Sequence, residues 1–68
     1  MADAETARIL QALRDAGRPM TPAEIAAAAG VPADHVRTRI ETRVSRGEVV
    51  RYPAGRGALG RWRYGLAA

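Results

Sequence analysis

A chain of 68 residues is expected to form one domain, and at that length folding buries only about 60% of the surface the unfolded form exposes. It contains no cysteine, which excludes a disulfide framework and a thiolate metal site, so the fold must rest on its packed core. No run approaches the roughly 18 to 20 apolar residues that span a bilayer, and the acidic, alanine-rich start has neither the basic nor the apolar region of a signal peptide. These features lead us to expect a soluble, cytoplasmic protein with no membrane contact.

All eleven basic residues are arginine, against seven acids. The arginine and alanine bias fits the codon usage of a GC-rich bacterial or phage genome, so the placement of the charges is more informative than their type. Residues 1–34 hold three arginines and five acids, a net of −2, whereas residues 35–68 hold eight and two, a net of +6. Such a split points to a polyanionic partner for the second half.

The first predicted helix covers about residues 3–16. Ile9, Leu10 and Leu13 share one stripe, acids lie near the start, and Gly17 stands where a C-cap glycine belongs. A second, short helix over 22–29 opens with "TPAE": Thr21 at the N-cap, Pro22 at the first helical position and Glu24 where a capping box requires it. Ile25 and small alanines form its core side, and Gly30 ends it. Between these helices, residues 19–21 have the makings of a very short strand that pairs with a hairpin edge.

After the turn "GVP", a third helix is predicted over 33–46, with Val36, Ile40 and Val44 at i, i+4 and i+8. At 100° per residue, Asp34, Arg37, Thr38, Glu41 and Ser45 fall on the far side of the helix from that stripe. Gly47 closes it. The period then changes to two: residues 48–52 and 61–66 read as strands of an antiparallel hairpin, with Trp62, Tyr64 and Leu66 alternating against Arg61 and Arg63. The connecting "PAGRGALG" carries proline and three glycines, with Arg56 near its tip.

Three helices followed by a two-stranded β-hairpin, with a tight glycine turn between helices two and three, make a small α+β domain. It resembles the winged helix-turn-helix domains of MarR-, ArsR- and IclR-like bacterial regulators. Ile25, Ala26, Gly30, Val31, Val36, Ile40, Gly47, Val49, Val50 and the strand 64–66 carry the resemblance, which spans about residues 5–66. It implies a third helix in the major groove of double-stranded DNA and a wing on the backbone or minor groove. Asp34, His35, Arg37, Thr38 and Glu41 would then face base edges, with Arg37 suited to a guanine fork and Glu41 to a cytosine amine. Arg56, Arg61 and Arg63 would be the wing contacts, Arg56 the one suited to a narrow minor groove.

Other residues have plainer roles. Trp62 is expected in the core or packed on the hairpin, Met20 in the core and His35, the only histidine, at the surface. Arg39 and Arg43 are expected to pair with acids of the first helix or to lie along the hairpin, and Arg46 to sit at the negative end of the third helix. A left-handed nucleic-acid binder of the Z-alpha type shares the element order and a tryptophan in the last strand, but Arg37 and Glu41 occupy its asparagine and tyrosine positions.

No cofactor, metal site or catalytic constellation is expected: the acids are scattered, and "GRGALGR" lacks the lysine and helix of a phosphate-binding loop. The function predicted is that of a small bacterial or phage DNA-binding regulator or nucleoid factor. A single module buries only about 600–1,000 Å² on DNA, so specificity calls for two copies, as a homodimer or side by side on DNA. The alternative is a winged-helix protein-docking module without DNA binding. RNA ranks lower, since no sheet face offers stacked aromatics.

Overall fold

In the computed structural model of the chain, residues 4–53 and 62–67 are described. Three helices, α1 (Ala4–Ala16), α2 (Pro22–Ala29) and α3 (Ala33–Ser45), precede an antiparallel pair, β1 (Val49–Pro53) and β2 (Trp62–Leu66). This is the α+β winged-helix arrangement.

Each helix starts and stops for local reasons. α1 buries Thr6, Ile9, Ala12 and Leu13, one face at a spacing of three to four residues. Before α2 the Thr21 hydroxyl accepts from the Glu24 backbone N–H at 3.2 Å. In return, the Glu24 carboxylate accepts from the Thr21 N–H at 2.9 Å, so two orphan amides are satisfied together. Gly30 ends α2 at φ 69°, with its N–H donating to the Ala26 carbonyl. α3 buries Val36 and Ile40, with Val44 packed against the core at its edge. Arg46 serves as its C-cap, and Gly47 turns the chain at φ 76°.

The hairpin register runs from Val49 opposite Leu66 to Pro53 opposite Trp62. Met20, between α1 and α2, pairs with Tyr64 through reciprocal backbone hydrogen bonds of 2.9 and 2.8 Å. Of the short strand expected at residues 19–21, a single-residue bridge at Met20 is present, and β2 lies between it and β1. Since Tyr64 directs its backbone groups to Met20, and the Ala67 N–H reaches the Glu48 carbonyl, the antiparallel alternation sends those of Val49 and Arg51 to the open edge of β1. Pro53, without an N–H, closes that edge toward the tip.

Ile9, Ile25, Val36, Ile40 and Val49 are the largest fully buried side chains, and Leu13, Met20 and Tyr64 complete the centre. The alanines of α2 are what bring Ile25 to complete burial: with no bulk beside it, the helix seats closely between α1 and α3. Burying a side chain of this size stabilises by about 1.5–3 kcal/mol, a large share of what so short a chain can accumulate.

Trp62 departs from one of its expected places. Its strand parity matches that of Tyr64, but it remains 37% exposed. It packs on the hairpin rather than in the core: the Arg51 guanidinium lies 4.7 Å from its ring centroid. Arg43 pairs with Glu48 at 3.2 Å, in the turn leading to the hairpin, and Arg39 pairs with Glu5 of α1 at 3.0 Å.

Candidate nucleic-acid interface

Because Val36 and Ile40 point into the core, the 3.6-residue period turns Arg37, Thr38, Glu41 and Ser45 outward, and all four are exposed. Hydroxyls on this face fold back on the helix. Thr38 donates to the Asp34 carbonyl at 3.2 Å, Thr42 to Thr38 at 3.4 Å and Ser45 to Glu41 at 3.1 Å. As placed, these groups spend their protons on the backbone and turn acceptor lone pairs outward. The long, charged side chains thus dominate the surface.

Arg37 meets Asp34 at 3.5 Å, one turn back, with both side chains well over half exposed. A surface pair of this kind contributes little, so Arg37 can exchange Asp34 for another acceptor at small cost. Glu41 is held from the hairpin side, where the Tyr64 hydroxyl donates to its Oε1 at 3.4 Å. Burial raises the Tyr64 pKa, and the Glu41 charge raises it further, while Arg51 and Arg37 pull the other way. The Tyr64 hydroxyl thus links β2 to α3 through Glu41, within the fields of Arg51 and Arg37. Trp62 completes the group by fixing Arg51 over its ring, an arrangement that orients the guanidinium while leaving its edge N–H groups available.

The predicted site residues do not all gather here. Arg37 and Glu41 do, with Thr38 beside them. Asp34 is exposed at the start of α3. His35 turns toward α1, its Nδ1 at 3.1 and 3.2 Å from the two carboxylate oxygens of Glu5. That carboxylate also receives Arg39, so it ties the beginning of α1 to two successive turns of α3.

Arg63 lies on the other face of the hairpin. Strand alternation sets it with Tyr52, its cross-strand partner, and opposite to Tyr64. Its charge acts on Glu24. The pKa of that residue is lowered chiefly by the Thr21 amide, with slight desolvation opposing and Arg18 and Arg63 adding to the depression. Arg56 and Arg61 fall outside the described residues.

Arg51, Trp62 and the Tyr64 hydroxyl belong to the site without having been singled out for it. Arg51 had a readable signal: two positions beyond Val49, it shares that residue's face. Among the described residues, no group of three or more His, Asp and Glu side chains could hold a metal ion, and no helix is long and apolar enough to cross a membrane.

No curated protein matches the chain. A family model does match, over residues 5–65, which takes in the three helices but for the first residue of α1, and nearly all of the hairpin. It adds a family match to the broad winged-helix resemblance. The chain belongs to the FaeA-like proteins, a family of winged-helix-like regulators.

Proposed function

We propose that the protein is a double-stranded DNA-binding regulator of a bacterium or phage, non-enzymatic and acting at the nucleoid in the cytoplasm. In this reading α3 enters the major groove and the near side of the hairpin rests on the backbone. The observation that carries it is the hydrogen bond from the Tyr64 hydroxyl to Glu41, which sets the exposed side of α3 beside the strand face where Arg51 lies over Trp62. Helix and hairpin thereby present one continuous charged face. Its two arginines are held by contacts weak enough to be exchanged: a loose ion pair for Arg37 and an aromatic ring for Arg51.

In this role Arg37 reads a guanine or takes a phosphate, Glu41 accepts from a cytosine amine, and Arg51 takes a phosphate. Arg56 and Arg61 extend the backbone contact from the wing. Two copies on DNA, as a homodimer or side by side, supply the specificity that one small module lacks.

The test is binding to a fluorescent random-sequence duplex across a salt series. Log affinity is expected to fall with log salt at about −0.9 per contacted phosphate, with Arg37→Ala and Arg51→Ala both weakening binding. Absence of binding at low salt would refute the reading. Binding that persists unchanged in both variants would move the interface elsewhere on the molecule.

A further inference from the structure

Where the end of α1 and residues 17–19 meet the end of β2, they enclose with Tyr52 and Gly65, which lie on the opposite face of the sheet from Arg51, a half-open groove of about 280 Å³. Its apolar surface comes from Leu13, Pro19, Tyr52 and Leu66, and its rim from Arg14 and Arg18. Tyr52 is 42% exposed, and Val50, next but one on the same strand face, is 37% exposed. Gly65 shapes the floor: a Cβ there would meet Pro19 Cγ at 3.4 Å and Tyr52 Cε2 at 3.5 Å. The missing methyl group is thus what keeps the space between the two rings open.

We propose that this groove docks an acidic, apolar peptide segment of a partner protein, with one bulky side chain seated between Pro19 and Tyr52 and flanking carboxylates on the arginines. Three observations select that occupant. The volume lies just under the roughly 300–1,000 Å³ of a small-molecule site, a fit for one or two side chains rather than a whole cofactor. The charges beside it are mainly cationic: Arg14 and Arg18 on the rim, and Arg63 on the sheet face next to Tyr52. The nearby acids are engaged, Asp15 by the Gln11 amide at 2.7 Å and Glu24 by the Thr21 amide, with Arg18 only 3.8 Å from Glu24 as a loose pair.

A second copy docked symmetrically would set the same arginines against each other, so self-association through this face is disfavoured. The proposal does not depend on DNA binding. Arg51 and Tyr52 are neighbours on one strand and point to opposite faces, so a peptide in the groove leaves the α3 face open.

The experiment selects peptides from a displayed random heptapeptide library on the full chain at physiological salt. The winning peptide, carrying a fluorophore, is then titrated against wild type, Tyr52→Ser, Arg18→Glu, Gly65→Ala and Arg37→Ala, with thermal melts confirming that each variant folds. We expect a consensus of one large apolar residue beside Asp or Glu. Affinity should fall at least about tenfold in the first three variants and stay unchanged in Arg37→Ala. Gly65→Ala keeps the test decisive if a polar variant destabilises the sheet, since its new methyl group makes only ordinary contacts while filling the groove. No enriched sequence, a basic consensus, or equal loss in Arg37→Ala would each overturn the proposal. Displacement of the peptide by a saturating DNA duplex would do so too.

Discussion

The Tyr64 hydroxyl donates to the Glu41 carboxylate across 23 positions of sequence, at 3.4 Å. It is the hydrogen bond that joins the exposed face of α3 to the hairpin, and it unites a buried phenol with a solvent-facing carboxylate. Its length puts it at the weak end of the range, so its value lies in positioning more than in stability.

Removing it should therefore cost little at neutral pH, about 0.5 kcal/mol for Tyr64→Phe, with a clearer effect in alkali. The folded-state pKa of Tyr64 is raised above the usual 10.0, by burial first and then by Glu41. Stability tied to the protonated phenol is thus fully present below about pH 10 and lost as pH rises through the higher folded value. The chain has no lysine and no cysteine to titrate alongside the phenol, so the alkaline limb is unusually clean. Melting temperatures from pH 8.5 to 11.5 should fall more steeply for wild type than for Tyr64→Phe; parallel curves would show that the Tyr64 phenol does not carry the effect.

At the acid end the capping box takes over. Glu24 has its pKa lowered, chiefly by the Thr21 amide, so its contribution is present above the usual 4.5 and lost as pH falls through the lower folded value. Glu24→Gln should flatten stability between about pH 5 and pH 3. Thr21→Ala, which removes the hydroxyl acceptor, should cost about 1 kcal/mol at pH 7. Circular dichroism melts across that range check both.

Gly30 separates backbone strain from crowding. It sits at φ 69° with nothing within 4 Å of where a Cβ would stand. Gly30→Ala should lose about 1–2 kcal/mol purely from the left-handed conformation, and Gly30→Asn less. Equal losses in urea titrations of the two variants would point to a cause other than φ.

On DNA, Arg37→Ala should cost about 1–3 kcal/mol on a preferred site and relax its base preference. Arg51→Ala should weaken all sequences alike and flatten the salt slope by about 0.9. Trp62→Leu should give a milder form of the Arg51 effect, since the ring orients that guanidinium through a contact of about 0.5–1 kcal/mol. Fluorescence anisotropy on a selected site and a scrambled duplex distinguishes the three.

Most of the fold was legible because its signals are local. The Thr21 to Glu24 box and the glycines 17, 30 and 47, all at positive φ, are short-range instructions that packing has no reason to overrule. The Val36 and Ile40 stripe follows from helix period alone. The site was less legible because it depends on which faces meet. Parity correctly placed Arg63 opposite to Tyr64, but only the packing shows that α3 lies on the Tyr64 side. Parity also put Trp62 on the core face without showing that it stays exposed there under the Arg51 guanidinium. Thr6 is buried with no sequence mark to announce it. The partnership of His35 and Arg39 with Glu5 joins residues too far apart in the chain to be read from spacing.

The reciprocal pairing of Met20 with Tyr64 bears on how the molecule comes apart. A hairpin attached only through its own two strands would open and close on its own, leaving three helices behind. Here the link between α1 and α2 is itself bridged to β2 through Met20, so the hairpin cannot lift away without freeing two amides next to the core. The Met20 and Tyr64 amide protons should therefore exchange with solvent at the rate of global unfolding, alongside those of α3. Helices and hairpin form one cooperative unit, and a fragment ending before β2 should not survive as a free-standing helical domain.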